Sequence, residues 1–517
     1  MSRFQKIVLI VFLVLGIGLR GISYVSNRPF WRDESGLALQ VQAGSYQDLV
    51  LKPHTASPLG YLEGVKCVTS YLGYKEWAFR LIPFLSSIFA LMVLSRLLFL
   101  WTSSFYAVLG TALFSVSERA IYYAGEFRHY STDLLFSVFI LWIFEKCRKS
   151  PSSGMYFAFL CVGSLSIWFS YTSIIVLASV MFVWVCQIQK SDWKPFVKVF
   201  GIGLFFLLNS MATYFLTVSY QVDMKGLSAF WNQETYQTFL PLTSLWKAVS
   251  WLGVASFGVV RYLFGLPIDP SKSISYSMPM GFHGGGIAAF YFWGYALFIG
   301  VVVLTGFVLM IYKVIKYKED VSLERVFLSM VVLVIVASGF HRYPFYGRFM
   351  LFMYPVFIMC VLQGVRFFSE RRKFLIPFLI GAVLLHPALM STIEAVYPKV
   401  MTDLRSAVAF FSTHRAQNEQ LVTVQCGDMV YDAQWVPLQS GKDYQVFSSE
   451  GELQTFLNQK EIRSFWFLYP LKDRSKTSMG PVAEKTLNLL KKNIILDQEY
   501  RAIGCAVAHC TKVGVYK

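Results

Sequence analysis

From residue 6 to residue 392 the chain keeps returning to apolar runs long enough to cross a bilayer, and this repetition limits its fold more than any other feature. About 20 apolar residues cross the hydrocarbon core as a helix, because a helix satisfies its own backbone polar groups there. We place spans at 6–25, 78–100, 104–121, 131–145, 155–171, 172–187, 197–216, 287–312, 325–340, 348–365 and 374–392. The runs 155–171 and 172–187 count separately because Ser170–Ser173 reads as a turn. The expected architecture is a membrane all-α fold of about eleven transmembrane helices over residues 1–392, followed by a small soluble α/β domain over 393–517. The first run has no small-x-small cleavage site and is expected to stay as an uncleaved anchor.

A net charge of +17 raises nucleic acid as a partner, but Ile393–Lys517 holds 15 basic and 13 acidic residues, so nearly all of the excess belongs to the membrane part. There it gathers in clusters: Arg3 and Lys6; Lys146, Arg148 and Lys149; Lys190, Lys194 and Lys198; Lys313, Lys316 and Lys318; Arg366, Arg371, Arg372 and Lys373. With the span count above, all of these fall on one side, which the positive-inside rule makes cytoplasmic. No nucleic-acid partner is expected. Eight cysteines show no metal-ligand spacing, and Cys426, Cys505 and Cys510 of the tail allow one disulfide in an oxidising compartment. In the tail, helix signals at 402–414, 450–459 and 481–492 alternate with strand-like Leu421–Cys426 and Ser464–Tyr469.

The opposite, non-cytoplasmic face collects the loop 26–77, the short loop Glu118–Tyr130, the long loop Thr217–Gly286 and the tail. Trp31-Arg32-Asp33-Glu34 follows the first span, so the Asp33 carboxylate lies near the headgroups, placed to take a proton from an attacking hydroxyl. The competing reading is that Asp33 or Ser35 caps a short interfacial helix over Leu37–Val41. In the second loop, Glu126, Arg128, Tyr130 and Asp133 put dense charge at a membrane edge, where ionisable groups pair or line a polar cavity. There the competing reading is a structural ion pair of Glu126 with Arg128 or Arg119. His341–Arg348 adds Arg342, Tyr346 and Arg348, and arginine's planar fork suits phosphate. Lys52 and His54 add further cationic candidates in the first loop. No P-loop and no dinucleotide fingerprint is present.

Taken in order, Trp-x-Asp-Glu after the first span, Ser57-Pro58-Leu59-Gly60-Tyr61-Leu62, Glu76–Leu81, Glu126-x-Arg128-x-Tyr130-Ser131-x-Asp133 and Tyr343-Pro344-Phe345-x-Gly347-Arg348 resemble the GT-C superfamily of polytopic glycosyltransferases. They most resemble its bacterial dolichyl-phosphate-mannose-protein mannosyltransferase-like branch, glycosyltransferase family 39. The resemblance covers roughly residues 1–365 and leaves the tail unmatched. It implies an enzyme of the bacterial inner membrane that moves a sugar, with inversion, from a polyprenyl-phosphate carrier to an envelope glycan, lipid or protein on the periplasmic side. It also implies that Asp33 is the catalytic acidic residue with Glu34 beside it, and that Glu126 is the second acidic position; His129 has no role in the family. A divalent cation is left open as a cofactor, with Asp33 and Glu34 as its holders. A transporter or flippase of lipid-linked intermediates is the alternative. Transporters carry charges near the midplane of paired halves, whereas here the charges gather at one face.

Overall fold

The computed structural model describes residues 1–51, 57–187, 193–219, 238–266, 286–317, 321–424, 443–447, 450–459, 461–471, 488 and 494–512. By its internal contacts the chain divides into two compact units: Met1–Ser26 with Tyr46–Pro398, and Asn27–Ser45 with Lys399–Lys517.

The described helices run in order from α1 (Arg3–Val25), α2 (Arg32–Ala43), α3 (Tyr46–Leu51), α4 (Leu59–Leu72), α5 (Glu76–Phe79), α6 (Leu81–Trp101), α7 (Ser104–Ser115) and α8 (Glu118–Ala124) to α9 (Tyr130–Lys149). There follow α10 (Ser153–Phe169), α11 (Ser173–Gln187), α12 (Trp193–Thr213), α13 (Leu245–Leu263), α14 (Gly286–Lys316), α15 (Ser322–Gly339), α16 (Tyr354–Arg371) and α17 (Ile376–Val396). All but α2 belong to the first unit.

Seven helical stretches among the described residues are long and apolar enough to cross a membrane: 3–25, 76–101, 196–218, 293–316, 322–339, 347–371 and 373–396. The chain is a multi-pass membrane protein. Helix lies along each of the eleven expected spans, and seven of them meet this length and apolarity among the described residues. The expected span 104–121 breaks at Val116 into α7 and α8, and a helix of α7's length rises only about 18 Å against a core of about 30 Å. Ser170–Thr172 does separate α10 from α11, as expected. The region expected to be a long loop holds the 19-residue helix α13.

Two features explain how charge and close packing are accommodated. Arg20, fully buried on α1, donates to the Ser87 hydroxyl at 2.8 Å and to the carbonyls of Gly16, Phe114 and Ser115. The last two are end carbonyls of α7, so this guanidinium caps the C-terminus of that helix. Between α14 and α16, a Cβ on Gly306 would lie 1.8 Å from the Cys360 carbonyl oxygen. Glycine is what lets the two backbones touch.

The second unit has α2, α18 (Leu404–His414), α19 (Glu450–Asn458) and a five-stranded sheet of β1 (Leu421–Val424), β2 (Tyr444–Phe447), β3 (Ser464–Pro470), β4 (Ile494–Arg501) and β5 (Cys505–Lys512). The strand order is β2-β1-β3-β5-β4; β1 runs parallel to β2 and β3, and β5 runs antiparallel to β3 and β4. Alternate residues of β3 face opposite ways: Trp466 and Leu468 join Leu404 and Phe411 of α18, while Phe465 and Phe467 join Leu453 and Phe456 of α19. Cys505 and Cys510 are buried in these two separate cores. An odd spacing on one strand turns them to opposite faces. Cys426 and nearly all of the expected helix 481–492 lie outside the described residues.

Candidate active site

Asp33 stands in the first turn of α2, one residue after Arg32. The N-cap is Trp31, and no side chain caps the helix. This corrects the capping alternative: neither Asp33 nor Ser35 occupies the cap. Glu34 and Ser35 are buried, as are Leu37, Ala38 and Val41 along the inner face, whereas Asp33 is half-buried. An acidic group in this turn is favoured by the free N–H groups of the helix start.

In the first unit, the second-loop residues are built into the turn between α8 and α9. The Ser117 hydroxyl accepts from the Ala120 N–H and starts α8. Gly125 ends that helix against α1, where a Cβ would come within 2.9 Å of the Ser23 carbonyl oxygen. The Arg128 N–H then donates to the Glu126 carbonyl at 2.7 Å, and His129 leads into α9, its carbonyl accepting from the Asp133 N–H at 2.8 Å. The Ser131 hydroxyl donates to the Tyr123 carbonyl at 2.9 Å, tying α9 back to α8.

Around this turn the structure gathers Glu126, Arg128, His129, Tyr130, Asp133 and Arg348. The Arg348 guanidinium lies 5.8 Å from the centre of the Tyr130 ring, whose edge also meets Tyr123 at 5.1 Å. His129 Nε2 is 3.7 Å from Asp133 Oδ2, and its Nδ1 is buried without a hydrogen-bond partner. Burial, reinforced by the Arg128 and Arg348 charges, pushes the His129 imidazole down to about 3 and holds it neutral. The Ser170 and Thr172 hydroxyls and the Tyr343 ring stand beside Asp133. Tyr123 is hydrogen-bonded to Tyr262 of α13, with Glu126 and Arg348 also close; burial first, then Tyr262 and Glu126, keeps its phenol protonated against the opposing pull of Arg348. Tyr262 in turn covers Gly347, the φ +31° residue that turns the chain into Arg348. The turn thus brings the Arg128 and Arg348 charges close to the buried His129, with Arg348 on the face of Tyr130, a cationic grouping suited to an oxyanion.

Other expected residues are placed differently. Arg342 is exposed on the turn after α15, and Tyr346 precedes the 3-10 helix Gly347–Met353. Lys52 and His54 lie outside the described residues. Arg119 is engaged by Glu118 at 3.0 Å and by the face of Tyr262 at 4.5 Å, so its part in a structural pair with Glu126 is corrected. Among the described residues no three His, Cys, Asp or Glu side chains converge as a metal would require. Tyr123 and Tyr262 were not anticipated. Tyr123 had its signal in the Tyr122-Tyr123 run, while Tyr262 had none.

The chain has the fold of GT-C structures. Among solved structures the chain is similar to ArnT from Cupriavidus metallidurans bound to undecaprenyl phosphate, with a TM-score of 0.53 and 10% identity over 98% of each chain. It is also similar to the oligosaccharyltransferase of Archaeoglobus fulgidus tethered with an acceptor peptide containing the NVT sequon, with a TM-score of 0.51 and 11% identity over 98% of this chain and 74% of that one. At such identities the similarity is one of fold. No family model matches the sequence, and no curated protein is significantly similar to it.

Proposed function

We propose that the protein is an inverting glycosyltransferase that moves a sugar from a polyprenyl-phosphate carrier to an envelope glycan, lipid or protein, akin to the family 39 branch. It would act at the periplasmic face of a bacterial inner membrane. The observation that carries this reading is the pair of cations, Arg128 and Arg348, at the α8–α9 turn, in a chain that is similar in fold to ArnT bound to undecaprenyl phosphate over 98% of its length.

In this mechanism the Asp33 carboxylate accepts the proton of the acceptor hydroxyl as its oxygen attacks the anomeric carbon. The bond from that carbon to the phosphate oxygen breaks, and the electron pair leaves with the polyprenyl phosphate. Arg128 and Arg348 hold the phosphate and stabilise the charge it gains, and Tyr130 and Tyr123 keep Arg348 aimed. Arg342, Lys52 and His54 are secondary phosphate contacts. Glu126, Asp133 and Tyr346 support this grouping, and Glu34 supports Asp33.

The test is to incubate the purified full-length protein with a panel of polyprenyl-phosphate-linked sugars and an envelope extract, and to measure free polyprenyl phosphate. Sugar-dependent release that Arg348→Lys abolishes is the expected result. No release with any donor in the panel, from folded protein, would overturn the reading.

A further inference from the structure

The segment that carries Asp33 does not group with the membrane helices it lies between in sequence. Residues 27–45 form one compact unit with residues 399–517, across some 350 intervening residues. Two arginines make the connection. Arg28 Nη1 donates to the Lys399 carbonyl at 3.4 Å, and Arg405 Nη2, from α18, donates to the Asn27 carbonyl at 3.2 Å. Arg28 is buried beside this contact.

The point that Arg405 reaches is conformationally singular. Asn27 has φ +42°, one of two non-glycine residues with positive φ among those described, and its left-handed turn sets the direction in which the chain runs toward α2. Asparagine tolerates this region better than most residues but does not enforce it, so a partner on its carbonyl helps to fix the turn. Arg405 is itself fixed by the sheet. Asp403 caps α18 through the Ser406 N–H at 3.0 Å, donates its own N–H to the Ile503 carbonyl at 2.8 Å, and accepts the Cys505 thiol at its carbonyl. Gly504, at φ +74°, closes the β4–β5 turn against the Met401 carbonyl, where a Cβ would come within 2.9 Å. A continuous path therefore runs from the β4–β5 turn through Asp403, α18 and Arg405 to Asn27, six residues before Asp33.

We infer that the C-terminal unit holds the Asp33 helix in its working position and that Arg405 and Arg28 are positioning residues for Asp33, acting through the Asn27 turn and the Lys399 carbonyl. The inference rests on the reading of Asp33 as the catalytic base. It gives the tail, which the membrane chemistry leaves without a task, a part in catalysis without touching substrate.

The experiment compares full-length wild type, Arg405→Ala, Arg405→Lys and Asp33→Asn by hydrogen–deuterium exchange and by polyprenyl-phosphate release. In Arg405→Ala, exchange across residues 28–43 should quicken by about tenfold or more while peptides of β3 and β5 keep wild-type protection, because a charge-assisted hydrogen bond is lost. Turnover should fall by a similar factor with donor KM little changed. Arg405→Lys should restore both, since an ammonium also donates to a carbonyl. Wild-type exchange across 28–43 in Arg405→Ala would overturn the inference whatever the activity. Quickened exchange with turnover intact would overturn the catalytic role of Asp33 instead, and an active Asp33→Asn would identify that case separately.

Discussion

The guanidinium of Arg119 pairs with Glu118 at 3.0 Å, on the same short helix, and lies over the ring of Tyr262. That pairing removes Arg119 as a structural partner of Glu126 and leaves Arg348 and Arg128 as the cations at the α8–α9 turn. Arg348→Lys keeps the charge but loses the planar fork and the hold on the Tyr130 face. Turnover should fall by about a hundredfold, the cost of one transition-state donor, with the fold intact. Steady-state kinetics alongside a thermal melt check this, and wild-type turnover in the lysine variant would make Arg348 a headgroup anchor.

His129 makes a prediction about acid. Its pKa is held near 3 in the folded protein, against an ordinary value of 6.5. Below the ordinary value the unfolded chain takes up a proton that the folded chain refuses, so this group's stability is complete above about pH 6.5 and declines as pH falls toward 3. Melting temperatures at pH 7, 6 and 5 should therefore drop more steeply for wild type than for His129→Gln. Parallel curves for the two proteins would mean that the imidazole is not buried as described.

Glu419 links the loop after α18 to the sheet. Burial alone would raise its carboxyl, but hydrogen bonds from the Ser464 hydroxyl, the Ala416 N–H, His509 and the Trp466 indole outweigh this and pull it down to about 2. A depressed carboxylate stabilises above its unfolded value of 4.5 and loses that contribution as pH falls toward 2. Glu419→Gln should lower the melting temperature of the second unit at pH 7 and differ little from wild type at pH 3, as followed by differential scanning fluorimetry.

Gly306→Ala tests the closest helix contact. Its methyl group would sit 1.8 Å from the Cys360 carbonyl oxygen, so α14 and α16 must separate. Overpacking of this kind costs about 1–3 kcal/mol. The yield of folded protein in mild detergent should fall accordingly, while Gly294→Ala, with open space around it, should behave as wild type.

The membrane helices and the α8–α9 turn were legible in the sequence because long apolar runs and charges at their edges are local signals. The elements that were missed depend on distant partners. α13 mixes Lys247, Ser250, Ser256 and Arg261 into its apolar residues, and only its packing, Trp251 on Phe345 and Tyr262 on Gly347, shows it as part of the site. β4 reads as polar because Asp497, Gln498 and Glu499 are exposed on an edge strand, paired on one side only by β5. The union of residues 27–45 with the tail includes the contact of Arg28 with Lys399, 371 positions apart, which no local pattern reveals.

The central claim is that Asp33 is the base of a lipid-linked sugar transfer. Since Trp31 is the N-cap and Asp33 lies within the first turn, asparagine there should leave α2 folded at a cost of well under about 1 kcal/mol. The decisive measurement is single-turnover release of polyprenyl phosphate by Asp33→Asn with saturating donor, beside its thermal melt. A loss of about two to four orders of magnitude in rate, with melting temperature and donor binding retained, is the predicted result. A stable Asp33→Asn protein that turns over at the wild-type rate would contradict the account.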